Sequence, residues 1–289
     1  RAATGGARAG AGAAASAGGP GGGGDDGLPS DAEVVPVGGD EAPDARLTGL
    51  RVMVAGATGK TGRLVVEKLL AKGVPVVAFA RNAARAEREL PVGVEVLQGD
   101  VTQYDSVARA YAGCNAVICC TGSRPGPLDP VGPFTVDFQG TANLVAAAKN
   151  AEASCKAFVL VSSIGADDIL FPLNLAWGVL FWKKRGEEAL QRSGLRHTVV
   201  RPGGLLDKSG SSKRGGGRRR PAGKRITMAP AGTFGLPPKE APGSILRAQV
   251  ADVAIAALVE DAAAGKVVEL SVAKGAAGDL GDAFARVGF

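Results

Sequence analysis

Residues 50–62 read LRVMVAGATGKTG, a short apolar run followed by three glycines at three-residue spacing. Leu50–Ala55 predicts a buried strand, and Lys60 to Lys72, with Leu64, Val65, Lys68, Leu69 and Lys72 on successive turns, predicts a helix. Glycines at that junction let the backbone turn sharply, approach a pyrophosphate closely and pack the new helix against the sheet, while the helix N-terminus offers unpaired N–H groups to the anion. Gly56, Thr58, Gly59, Lys60, Thr61 and Gly62 are therefore candidate dinucleotide-binding residues. The spacing differs by one residue from the G-x-G-x-x-G fingerprint, and purely structural glycines are the alternative. A phosphate-loop NTPase is excluded differently: Gly59-Lys60-Thr61 would need a glycine at position 54, where Val54 stands inside the strand.

Outward from this unit the pattern repeats. Strand-like runs are expected at Val76–Ala80, Val94–Leu97, Ala116–Thr121, Ala157–Ser162, His197–Arg201 and Val267–Val272, with helices at 103–112, 136–151, 174–193 and 246–261. Apolar strands alternating with helices predict an α/β fold, a doubly wound parallel-sheet Rossmann architecture in one domain over 47–289. Residues 1–46 are Ala/Gly-rich and then acidic, with few large apolar side chains. They are expected to form a disordered tail, a targeting remnant or the start of a truncated gene model.

The 289 residues are 45% hydrophobic and 21% charged, enough for a core that needs neither metal nor disulfide. Four cysteines without a C-x-x-C pair and a single histidine, His197, argue against zinc, haem or His-based catalysis, so no metal site is expected. The net charge of +6 is local: residues 1–46 carry 3 basic and 7 acidic residues, and Lys208–Arg225 carries 8 basic and none acidic. The body is nearly neutral, so no specific nucleic-acid partner is expected. The basic tract, within 207–225, is expected to be a loop insertion between two strands, solvated or attracting an acidic partner.

The residues after each strand refine the ligand. NAD sites place an acid about 20 residues beyond the glycines, where this chain has Arg81, with Arg85 one turn later. A guanidinium there can hold a 2′-phosphate bidentately, so NADP(H) is the preferred cofactor and NAD(H) the lesser one; a solvated surface arginine is the alternative. Asp100 and Val101 are placed to flank the adenine, and Thr121 and Gly122 lie beside the pyrophosphate. Ser162 and Ser163 end the fifth strand, either bonding the nicotinamide or a substrate or only capping the turn.

The segments VMVAGATGKTG (52–62), LQGDVT (97–102), AVICCTG (116–122), VDFQGTANLVAAA (136–148), FVLVSSIGA (158–166), LNLAWGVLFWKKRGEEALQRSGL (173–195) and VVRPGGL (199–205) resemble the atypical short-chain dehydrogenases with an NAD(P)-binding, NmrA-like Rossmann domain. Within that family they are most similar to a plastid group, the dehydrogenase-like domain of an inner-envelope translocon subunit and its single-domain relatives. The resemblance implies chloroplast localisation, in the stroma or peripheral to a membrane, with a dinucleotide and a plastid membrane surface or protein complex as partners. It also implies that Lys183 holds the nicotinamide ribose and that Pro202 lies on the nicotinamide side. In the translocon subunit, as the resemblance implies, the domain senses the NADP⁺/NADPH ratio and C-terminal Pro/Ser-rich repeats recruit ferredoxin–NADP⁺ reductase. This sequence lacks such repeats before Phe289, so that recruitment is not expected.

The departures concern chemistry. Catalytic members place a tyrosine four residues before the lysine, whose charge lowers the phenol's pKa for proton transfer. Here Val179 stands four residues before Lys183, and Asp137 replaces a frequent asparagine. The expected function is a plastid redox-responsive binding or assembly factor. The alternative is an NADPH-dependent oxidoreductase in which water, Ser163 or Lys183 supplies the proton. Finally, Ile169–Trp182 (ILFPLNLAWGVLFW) is too short to span a bilayer. It is expected to be a core helix beside the substrate cleft, with an exposed membrane- or partner-touching segment as the alternative.

Overall fold

The computed structural model describes residues 33–36, 44–124, 126–127, 129–151, 154–175, 177–207, 225–272 and 280–287. The strands among them are β1 (Glu33–Pro36), β2 (Val52–Ala55), β3 (Val76–Ala80), β4 (Glu95–Gln98), β5 (Ala116–Cys119), β6 (Ala157–Val161), β7 (His197–Pro202), β8 (Gly204–Leu206), β9 (Arg225–Pro230), β10 (Ser244–Leu246) and β11 (Val267–Val272). The helices are α1 (Lys60–Ala71), α2 (Ala83–Glu89), α3 (Tyr104–Tyr111), α4 (Thr141–Asn150), α5 (Val179–Gln191), α6 (Arg247–Ala256) and α7 (Leu280–Arg286), with a π-helical segment, Pro133–Gly140, leading into α4.

The main sheet runs β1-β9-β11-β7-β6-β5-β2-β3-β4. From β4 to β11 every neighbour is parallel; β9 is antiparallel to β11, and β1 to β9. The central strands read as unbroken apolar runs because both faces are covered, and β2, β3, β5 and β6 are buried at every residue. Along β2, Val52 and Val54 join a core with Val65, Leu69 and Val253 of α1 and α6. Met53 and Ala55 face the other way, into a core with Val107, Leu144 and Leu190 of α3, α4 and α5. The chain leaves β2 toward β3 and later returns to its other side at β5. This reversal of strand order opens a crevice at their C-terminal ends.

The doubly wound Rossmann architecture read from the sequence is the one observed. Three local readings change. The helix expected over 174–193 starts at Val179, because Pro172–Leu175 forms a 3-10 turn and Trp177 and Gly178 are both left-handed (φ 52° and 67°). A left-handed tryptophan costs about 1–2 kcal/mol, which the packing around it must offset. The expected core helix over Ile169–Trp182 is consequently apolar rim in its first half: Ile169, Leu170 and Leu175 are 71%, 81% and 90% exposed. Within the expected tail, Glu33–Pro36 pair with β9 and Ala45–Leu47 make a 3-10 turn that buries Leu47; residues 1–32 and 37–43 lie outside the described residues. Residues 208–224 of the basic tract lie outside them too, between β8 and β9.

One ion cluster fixes α5 to the sheet. Arg201 of β7 is fully buried and pairs bidentately with Glu187 of α5, Nε to Oε1 at 3.0 Å and Nη2 to Oε2 at 2.6 Å. It also bonds both carboxylate oxygens of Asp167 and approaches Glu269 of β11 at 3.4 Å. Lys184 adds a 2.6 Å pair to Asp167. Glu269 is held from the far side by the Gly232 and Phe234 N–H groups, at 2.9 and 2.8 Å. Removing one member of such a buried pair leaves an uncompensated charge.

Arg201→Met is therefore expected to lower the unfolding free energy by about 3–5 kcal/mol, read by urea denaturation. Burial alone would raise the Asp167 carboxyl, but hydrogen bonds from Arg201 and Lys184 draw it down to about 2. Its folded-state pKa is thus depressed, and its contribution to stability is complete above its ordinary value of 3.8 and lost as pH falls toward 2. Asp167→Asn should flatten that acid limb of the stability curve while leaving the neutral-pH slope unchanged.

Candidate functional site

The crevice holds an open groove of about 260 Å³. Its floor is the glycine turn. Gly56 has φ 78°, a β-carbon there would sit 2.8 Å from the Cys120 carbonyl oxygen, and the Gly56 carbonyl accepts the Gly59 N–H at 2.9 Å. A β-carbon on Gly62 would run into that same Gly56 carbonyl, so α1 closes onto the loop only with glycine there. Gly59, the N-cap of α1, has no side-chain cap, which leaves the first-turn N–H groups to a ligand.

Of the residues singled out from sequence, Gly56, Thr58, Gly59, Arg81, Arg85, Asp100, Val101, Thr121 and Gly122 line this groove. The others lie elsewhere. Lys60 points away from the groove to pair with Asp207 at 2.6 Å, where Arg247 also binds, and Thr61 and Gly62 form the first turn of α1. Ser163 Oγ donates to the Ile164 carbonyl at 3.1 Å, which fits the turn-capping alternative. Ser162 is buried with its hydroxyl unpartnered among the described residues. Pro202 ends β7, its carbonyl accepting the Ile164 N–H. His197 opens β7, at the opposite end of the strand from the groove.

Sequence reasoning missed Gly99, Cys120, Ser123, Arg124, Asp129 and Val136, which also line the groove. Gly99 lacks a β-carbon that would collide with the Phe79 ring, and Ser123 and Arg124 simply continue the strand-end pair Thr121-Gly122. Burial pushes the Cys120 thiol up, so it stays protonated. Asp100 is turned inward by Thr102, whose N–H and hydroxyl both reach Oδ1 at 2.9 Å.

Two guanidiniums give the groove its charge. Arg81 and Arg124 are exposed and have no side-chain partner among the described residues, whereas Arg85 is paired to Glu89 at 2.8 Å. At the other end Lys183 meets Asp137 at 2.7 Å, and Asp137 Oδ2 accepts from the Ser123 N–H at 3.2 Å and from the Ser123 hydroxyl. Burial works against the Lys183 charge, but the Asp137 carboxylate outweighs it and holds the ammonium's pKa above the ordinary lysine value. Gly186 permits this approach, since a β-carbon there would stand 2.6 Å from the Asp137 carbonyl oxygen. Val179 opens α5 one turn before Lys183. Neither tyrosine compensates: Tyr111 is buried between α3 and the sheet, and the Tyr104 hydroxyl accepts from Asn150 at 3.2 Å.

Beyond this pair lies an aromatic wall, with Trp182 4.9 Å from the Phe134 ring and 5.9 Å from that of Phe138. It continues into the exposed rim of Ile169, Leu170, Leu173, Leu175 and Trp177. No helix among the described residues is long and apolar enough to cross a membrane.

An unoccluded helix N-terminus, a backbone cradle that β-carbons would fill, two unpaired cations and an unpartnered buried hydroxyl together fit a dinucleotide. Comparison with known proteins agrees. The sequence pattern of an NAD(P)H-binding family matches residues 56–261. Protein TIC 62 of Arabidopsis thaliana, a chloroplastic protein, is 40% identical over 175 residues, covering 53% of this chain and 27% of that protein, so this chain spans about a quarter of its length. An uncharacterised chloroplastic protein of the same plant is 37% identical over 233 residues, covering 76% of each. Among solved structures, an anaerobillin reductase from Escherichia coli O157:H7 superposes with a TM-score of 0.57 and 26% identity, over 78% of this chain and all of that one. On its glycine cradle, its sheet order and this match, the chain belongs to the NAD(P)H-binding family of Rossmann proteins.

Proposed function

We propose that the chain binds NADP(H) in the groove and works in the chloroplast as a redox-responsive binding or assembly factor. In this reading the pyrophosphate lies over Gly56, Thr58 and Gly59 at the N-terminus of α1, beside Thr121 and Gly122. Asp100 and Val101 flank the adenine, Arg81 takes the 2′-phosphate, and Lys183 takes the nicotinamide ribose. The preference for the phosphorylated dinucleotide is supported by the unpaired Arg81 at the end of β3, where an acid would favour NAD. The chloroplastic relatives support the compartment. The observation that carries the non-enzymatic part is Val179: among the described residues no phenol lines the groove, and the side chain one turn before Lys183 cannot carry a proton. The apolar rim beside the nicotinamide end is the surface such a factor would offer a membrane or a protein complex.

The same rim favours a second reading, an oxidoreductase acting on an apolar substrate, which the likeness to a reductase also supports. NADPH, when bound, would supply the hydride. Lys183 would orient the ribose and hold a proton at Nζ, and water, Ser163 or Lys183 would protonate the product.

Titration calorimetry separates the cofactor claims. NADPH is expected to bind tighter than NADH, and Arg81→Ala should weaken NADPH by about tenfold to a hundredfold, the worth of a charge-assisted bidentate pair, while leaving NADH unchanged. Equal weakening of both would remove the 2′-phosphate assignment. A screen of carbonyl, enone and quinone substrates is expected to give no sustained NADPH consumption; turnover abolished by Lys183→Ala would establish the oxidoreductase reading instead.

A further inference from the structure

A site that responds to redox state must bind the two oxidation states unequally, because a ligand shifts an equilibrium only through a difference in affinity. The oxidised nicotinamide ring carries a positive charge and the reduced ring none, so fixed charge beside the ring is the element able to discriminate. Such discrimination rests on the dinucleotide occupying the groove as proposed. With the pyrophosphate over the glycine turn and the adenosine on the β3 side, the nicotinamide half crosses the switch point to the ends of β5 and β6.

At that end stands the Lys183–Asp137 pair. Gly122 lines the groove, and a β-carbon on it would lie 3.7 Å from Lys183 Nζ and 3.9 Å from Asp137 Oδ1, so the pair abuts the groove wall. Its two poles are not equally presented. The Asp137 side chain is completely covered, and its second oxygen is engaged by Ser123, whereas the Lys183 side chain keeps 18% of its surface exposed. The carboxylate is the rear pole and the ammonium the front one. The next carboxylate along α5, Glu187, is turned away into Arg201.

We propose that the Lys183 ammonium, backed by Asp137, is the redox discriminator of the groove: it opposes the oxidised nicotinamide and makes the site bind NADPH in preference to NADP⁺. The carboxylate has two roles here. It keeps the ammonium charged despite burial, and it tempers the repulsion so that NADP⁺ still binds. At the Coulomb strength suited to a site near the protein surface, a unit charge a few ångströms from the ring is worth about a factor of ten or more in affinity.

The test is the ratio of dissociation constants, NADP⁺ over NADPH, measured by calorimetry on the full chain. Contacts to ribose and phosphates are common to both ligands and cancel in the ratio, so a merely structural role for the pair would not move it. The wild type is expected to favour NADPH by about tenfold. Lys183→Met, which leaves the Asp137 charge unopposed, should bring the ratio to one or below, and Lys183→Arg should keep it. Asp137→Asn, measured at about pH 6 so that the buried ammonium stays charged without its carboxylate, should raise it. If Lys183→Met does not fold, Asp137→Asn decides alone: an unchanged or lowered ratio overturns the proposal. An unmoved ratio in Lys183→Met with both ligands still bound overturns the discriminator and leaves the dinucleotide site standing; a wild type that binds neither ligand overturns both.

Discussion

The groove exists because the backbone at Gly56, Gly59 and Gly62 comes closer to its surroundings than side chains would permit. The left-handed Gly56 lies under the carbonyl of Cys120, and Gly62 seats α1 against the carbonyl of Gly56. Three segments of chain, the ends of β2 and β5 and the start of α1, are drawn together within the thickness of a methyl group. Everything that makes the crevice a binding site depends on that closeness: the free N–H groups of the first helical turn face it, and the residues after β3, β4 and β5 converge on it.

The second determinant lies deeper. Arg201 joins β7, α5, the segment after β6 and the neighbouring strand β11 through three carboxylates, all but one of them buried. Because Glu187 sits one turn beyond Lys183, fixing Glu187 fixes the register and rotation of the helix that carries Lys183. The chain therefore has two charged layers along α5. A fully buried layer anchors the helix, and a second, largely buried layer, Lys183 against Asp137, abuts the groove wall. Burial makes both layers sensitive to the loss of one partner, but only the second can act on a ligand.

These two levels differ in how visible they are in sequence. The central strands are legible because a strand covered on both faces must be apolar at every position, and residues just past parallel strands fall into the crevice by geometry, so Arg81, Asp100 and Thr121 could be named in advance. Beyond β11 the sheet was not legible. Strand β9 comes after a basic, glycine-rich tract whose composition hides it, and β8 and β10 are three residues each. Helix α2, AARAERE, buries only Ala86 and so has no apolar stripe to announce it. The Lys183–Asp137–Ser123 chain and the Arg201 cluster were invisible for a different reason. Their members lie in separate segments that only the fold brings together. Lys60 shows the converse: it fits the motif by position, yet it pairs with Asp207, just past the end of β8.

The chain contains two tryptophans, Trp177 and Trp182, and both stand toward the Lys183 end of the groove, one on the exposed rim and the other in the aromatic wall. Indole emission from this protein therefore originates at a single place. Reduced nicotinamide absorbs in the near-ultraviolet band where indole emits, and oxidised nicotinamide does not. With a dinucleotide seated as proposed, resonance energy transfer out of these two rings would make the protein's own luminescence an optical gauge of which oxidation state the groove holds, with no label attached.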